Sequence, residues 1–177
     1  SRRAFLSTPL ALAAAGTQRI VSVKAKPLPL LPTSRFGKRE FTSDHDPARF
    51  RWFGPFSQLA GSILVEIRTA QGLVGHGMGG GGAAAIQIID GHLQDLLVGA
   101  NALNVELLWD QLFASSSFYG RRGVAIMAIS GIDLALWDIV GKVANLPLSK
   151  LFGGPVRDSV RTYAHLGGGR MEDFYQT

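Results

Sequence analysis

Ile63-Leu64-Val65-Glu66-Ile67-Arg68-Thr69 decides the fold of this chain. Its β-branched, extended-favouring residues read as a strand, Gln71-Gly72 as a tight turn, and residues 73–77 as a second, shorter strand, so the segment is a β-hairpin. Upstream, residues 18–26 intersperse Ile20, Val21, Val23 and Ala25 with polar residues and form a first strand, which Pro27, Pro29 and Pro32 are expected to end. Downstream the period changes. Residues 83–97 place Ile86, Ile89, Leu93 and Leu96 or Leu97 at helical spacing, with Gly99 as a stop. Asn104 is placed to cap a second helix with Val105, Leu108, Leu112 and Phe113 facing inward. A third and longest helix spans residues 123–143, with Met127, Ser130 or Gly131, Leu134, Trp137 and Val140 or Gly141 along one stripe. Strands come first and helices follow, which predicts an antiparallel sheet packed on a helical bundle, an α+β unit.

The flanks read differently. Residues 28–60 show no sustained period but hold Pro, Gly, several basic residues and the aromatics Phe41, Phe50, Trp52, Phe53 and Phe56, a loop long enough to be functional. Residues 1–17 begin Ser1-Arg2-Arg3-Ala4-Phe5-Leu6 and continue into a weakly hydrophobic, alanine-rich run. That pattern is similar to a twin-arginine export signal and implies a periplasmic or exported protein, with a cytoplasmic one as the alternative. The run is too short to span a bilayer, and no integral membrane segment is expected. After Leu148-Ser149-Lys150-Leu151-Phe152-Gly153-Gly154, a short helical turn ending on glycine, residues 156–165 read as a new strand leading to the glycines 167–169. Another helix is expected to open at Glu172 just before Thr177, and the chain is expected to be the amino-terminal part of something longer.

Composition bounds the function. With 46% hydrophobic and 18% charged residues over 177 positions, the chain can build one ordinary core. Its net charge of +5 is local to residues 2–3 and 35–51, and no basic face interleaved with aromatics extends beyond residue 60, so nucleic acid is not an expected partner. The absence of cysteine excludes disulfides, thiolate metal sites and cysteine nucleophiles.

Candidate chemistry is sparse. Gly75-His76-Gly77-Met78-Gly79-Gly80 satisfies G-x-G-x-x-G, but the strand before it is half of a hairpin and no second parallel strand with a terminal acid follows. A flexible entry into the next helix is the expected role, with the helix-start amides open to an anion. His45, His76, His92 and His165 lack metal-ligand spacing. Of these, His165 closes an expected strand beside a glycine loop and His45 lies in the aromatic loop. Asp133 and Asp138 are about 500° apart around the long helix and form no carboxylate pair. Asp133 lies near the apolar stripe and calls for a hydrogen-bond partner or a cation, most simply an arginine.

The run from Gly123 to Lys142, GVAIMAISGIDLALWDIVGK, followed by Pro147-Leu148-Ser149-Lys150-Leu151-Phe152-Gly153-Gly154, resembles the long helix and domain junction of the enolase superfamily, in its mandelate racemase and muconate lactonizing enzyme branch. Residues 61–77 are similar to the capping-domain hairpin of that branch, and the nearest subgroup is the acid-sugar dehydratases of the rhamnonate type. The resemblance implies a capping domain over residues 18–154 and, from 155 to 177, the start of a modified TIM-type barrel cut short. It implies abstraction of the proton α to a carboxylate, an enediolate stabilised by Mg²⁺, and loss of a β-hydroxyl in dehydratases. Metal ligands and bases belong to later barrel strands, so no catalytic or metal-binding residue is assigned within this chain, and the fragment alone is expected to be inactive. What carries over is substrate binding: Arg51 as partner of the sugar-acid carboxylate, with His45 and His165 beside it. The implied partners are a small acid-sugar carboxylate and, in the complete enzyme, further copies of itself. Two alternatives stand: a racemase or cycloisomerase of the same superfamily, and an exported binding domain without a barrel.

Overall fold

The computed structural model describes residues 16–28 and 61–162. Three strands, β1 (Ile20–Leu28), β2 (Ser62–Thr69) and β3 (Val74–Gly79), form an antiparallel sheet in the order β1-β2-β3. The hairpin is as the sequence predicts. Gly72 takes a φ of 89° at its tip, and Gly72 N–H donates to the Thr69 carbonyl at 3.0 Å. β1 does not end at Pro27 but runs through it, paired Pro27 to Ile63 and Leu28 to Ser62. An edge strand tolerates proline because the missing N–H can lie on its unpaired side.

Ile63, Val65 and Ile67 of β2 are fully buried on one face, against the helices, while Leu64, Glu66 and Arg68 lie on the other. The first helical segment is one rod with a defect: α1 (Gly82–Ile88), a π-helical turn Ile89–Leu93, and α2 (Gln94–Leu97). Ile89, Leu93 and Leu97 are buried and Leu96 is exposed, so the π turn delivers Leu97 to the core. α3 (Val105–Ser115) follows Asn104, which holds the cap position without a side-chain capping bond. The neighbouring Asn101 is used instead: its Oδ1 accepts the Gln18 and Leu103 N–H groups at 3.0 and 3.2 Å, joining the start of β1 to the turn before α3.

α4 (Val124–Ala144) packs across β3 and β2 on one side and meets α1 and α3 on the others. It is long and apolar enough to cross a membrane, but its apolar surface is spent on the core. The expected stripe is corrected here. Met127 and Leu134 are 46% and 44% exposed, whereas Ala128, Ile129, Ile132, Ala135, Leu136 and Ile139 are buried. Gly131 and Val140 of that stripe are buried, but the inward face centres on Ile129, Ile132, Leu136 and Ile139, with alanine and glycine where the sheet comes closest. α5 (Leu148–Leu151) ends the described helices. No strand forms over residues 155–162, against the expectation of one beginning at 156, and residues 163–177 lie outside the described part. A parallel strand takes its backbone bonds from neighbours, and the described residues offer it none.

The glycines of the G-x-G-x-x-G run are not a flexible entry to α1. Gly75, Gly77 and Gly79 belong to β3, all on the face that α4 covers. A Cβ on Gly77 would lie 2.5 Å from the Ala135 nitrogen, and one on Gly79 would lie 2.7 Å from the Met127 carbonyl oxygen. Helix backbone meets strand backbone with no side chain between them. We expect Gly77→Ala to lower stability by about 1–3 kcal/mol, because backbone must move to admit the methyl. Gly91→Ala, with open space around it, should be neutral or slightly stabilising. Urea unfolding of both variants checks this pair, and equal effects would contradict the packing argument.

Candidate functional site

Glu66, Arg68, His76, Asp138 and Lys142 gather where β3 forms the edge of the sheet beside α4. Alternation along β3 turns the His76 N–H and the Val74 carbonyl away from β2, leaving them without a strand partner. α4 supplies the partners. Asp138 Oδ2 accepts the His76 N–H at 2.8 Å, and Lys142 Nζ donates to the Val74 carbonyl at 2.6 Å and to Asp138 Oδ2 at 2.7 Å. Asp138 and Lys142 are one helical turn apart, so both reach the same edge. The His76 ring lies 3.6 Å from Glu66 Oε2 and 4.0 Å from Asp138 Oδ2, and Arg68 closes the row by donating to Glu66 Oε1 at 2.8 Å. The hydrogen bond from Arg68 holds the Glu66 carboxyl below its ordinary range. Its contribution to stability is therefore present at neutral pH and fades as pH falls through the lowered value, by a small amount because the row is solvent-screened.

The cluster binds the domain together rather than offering open chemistry, since its acids already hold cations or N–H groups. The i,i+4 spacing of Asp138 and Lys142 was legible in the sequence; the backbone groups they satisfy were not. Asp133 has no ion-pair partner among the described residues, contrary to the expected arginine. Burial raises its pKa, and the neighbouring charge of Glu106 raises it further. The Tyr119 hydroxyl lies 2.6 Å from His92 Nδ1, and burial pushes the phenol up. Arg51, His45 and His165 lie outside the described residues.

Among the described residues no group of three or more His, Asp or Glu side chains is placed to hold a magnesium ion. One geometric fact bears on the long loop. Leu28 pairs with Ser62, so the described residues that flank positions 29–60 lie side by side on the sheet.

Asp138→Asn keeps an acceptor for the His76 N–H but loses charge, and Asp138→Ala strands that N–H. We expect costs of roughly 0.5 and 1–2 kcal/mol respectively, with Lys142→Met non-additive with both. A double-mutant cycle by denaturant titration measures this, and additivity would break the proposed linkage.

The comparisons agree with this architecture. A curated protein of Caldivirga maquilingensis is 49% identical over 106 residues, 60% of this chain and 27% of its own length. L-rhamnonate dehydratase of Saccharopolyspora erythraea is 41% identical over 109 residues, 62% of this chain and 28% of its own. The chain thus spans little more than a quarter of the curated relatives it matches. Among solved structures, rhamnonate dehydratase from Gibberella zeae complexed with Mg superposes with a TM-score of 0.63 at 32% identity, covering 80% of this chain and 38% of that one. The model of the mandelate racemase / muconate lactonizing enzyme N-terminal domain matches residues 56–153, more than half of the chain. This chain belongs to that family, and the sheet and helices described above are the capping domain of an enolase-superfamily fold.

Proposed function

We propose that the complete polypeptide is a Mg²⁺-dependent acid-sugar dehydratase and that this chain supplies its substrate-specificity cap. The observation that carries the reading is the 41% identity to an L-rhamnonate dehydratase through the capping domain. Residues 36–59 are the proposed substrate-contacting loop, and the pairing of Leu28 with Ser62, on either side of it, supports that assignment. A loop whose two ends are pinned together on a sheet can close over a ligand while the sheet stays fixed. Arg51 within that segment is the proposed partner of the substrate carboxylate, since a guanidinium grips both oxygens at once. His45 and His165 are proposed as neighbouring contacts to the hydroxyl groups. The reaction removes the proton α to the carboxylate and the β-hydroxyl, so the product is one water lighter than the substrate. Residues 1–17 are proposed to direct export by the twin-arginine route, which cell fractionation of a strain carrying Arg2→Lys and Arg3→Lys would test.

Incubation of the complete enzyme and Mg²⁺ with a panel of six-carbon sugar acids, L-rhamnonate included, should yield a product lighter by one water in mass spectrometry. Exchange of the α-hydrogen with solvent deuterium and no loss of water would favour the racemase reading. With a substrate in hand, Arg51→Ala should lower kcat/KM by about ten- to a hundredfold, or roughly 1.4–3 kcal/mol, with little change in Tm. Unchanged kinetics would remove Arg51 from the site, and a collapse of Tm would make it a structural residue.

A further inference from the structure

Arg121 and Arg122 lie at the end of the domain where the proposed substrate loop is anchored, and we propose that their paired positive charge gathers the anionic sugar acid at the mouth of the site. Chain geometry fixes their place. Leu28 pairs with Ser62, and Gly82 N–H donates to the Gly61 carbonyl at 3.2 Å, so α1 starts at the base of that loop. Gly81 lies against the first turn of α4, where a Cβ on it would meet Val124 Cγ1 at 2.9 Å. Arg122 precedes Val124 by two residues, no more than about 7 Å of extended chain. The ends of β1 and β3 and the starts of β2, α1 and α4 therefore share one end of the domain.

The loop that carries the arginines is held on both sides. Gly120 is buried, its N–H donates to the Ser116 carbonyl at 2.8 Å, and a Cβ on it would collide with Ala125. The Tyr119 hydroxyl lies 2.6 Å from His92 Nδ1, which ties the loop to the π turn. On this base Arg121 and Arg122 are exposed and line a hollow of about 620 Å³ with Phe113. Neither has an ion-pair partner among the described residues. Asp110, one turn before Phe113 on α3, is exposed and pairs with neither. Two neighbouring cations left uncompensated set up a positive potential that raises the local concentration of anions. Its reach is about 30 Å at 0.01 M salt and about 8 Å at physiological ionic strength. Such a field selects by charge: it draws the open-chain carboxylate of a sugar acid and ignores the neutral lactone or the parent sugar. The identity of the anion rests on the dehydratase reading, whereas the field of the two guanidinium groups does not.

Two measurements on the complete enzyme test the pair. In the first, Arg121→Gln with Arg122→Gln should lower kcat/KM for the sugar acid by about tenfold at low salt while kcat stays the same. Added sodium chloride should narrow the gap, because it screens the field. Arg121→Lys with Arg122→Lys should keep the unaltered value, since charge and not the guanidinium fork is what acts. An unchanged kcat/KM, a fall in kcat, a gap that salt leaves open, or a loss that lysine does not restore would overturn the proposal. The second measurement needs no turnover. Trp109, 37% exposed, stacks on Phe113 with ring centroids 5.1 Å apart, so its fluorescence reports on anions at the hollow. The glutamine variant should lose roughly half of the iodide quenching that Trp109→Phe removes, with quenching by neutral acrylamide unchanged. An enzyme that dehydrates no sugar acid yet shows this iodide difference sinks the dehydratase reading and leaves the anion-gathering pair standing. Iodide quenching that the substitutions do not alter overturns the pair's role even where dehydration is found.

Discussion

Everything in this domain is arranged around the contact of helix backbone with strand backbone at Gly75, Gly77 and Gly79. Side chains on that face of β3 would hold α4 a full residue's width away. Gly131 and Ala135 meet the glycines from the helix side, so both elements are thinned at the same place. Close approach has further consequences. It lets Asp138 and Lys142, on short and long side chains respectively, reach backbone groups of β3 that the sheet leaves unpaired. It also fixes which side of α4 remains for α1 and α3, because a helix seated this deeply has little freedom to roll.

The sheet edge is thereby closed without a fourth strand. An open edge is a site of unwanted pairing, and here two charged side chains of a helix occupy it. β1, the opposite edge, carries Lys24, Lys26 and Pro27, which discourage pairing by charge and by the missing donor. Between the edges, the pairing of Leu28 with Ser62 gathers both ends of the long segment to one point, so the sheet serves as the fixed base of the proposed substrate loop.

Family membership constrains what this chain contributes. The chain matches little more than a quarter of its curated relatives, and no group of its described acids is placed to hold a metal ion. The solved relative from Gibberella zeae is complexed with Mg, while the described residues of this chain assemble no divalent-cation site.

Hydrophobic pattern together with turn and cap residues located the three strands and the helices, but not the strand expected from residue 156. Strand and helix periods differ enough to separate residues 62–79 from 82–144, and their order implied an α+β unit. The family was legible in the run from Gly123 to Lys142, which packing on both sides constrains almost residue by residue. Pattern did not determine how close the elements come or which atoms meet. The glycines of β3 resembled a phosphate-binding loop or a hinge because a missing side chain looks the same in sequence whether it frees the backbone or admits a neighbour. The inward face of α4 was read only in part, because the helix is apolar almost all round and its pattern does not single out one face. Asp138 and Lys142 were visible as a helical pair, but the Val74 and His76 groups they satisfy exist only once β3 has become an edge beside α4. Tertiary structure decided these points because each depends on a distance between segments remote in sequence, and local propensity carries no information about that distance.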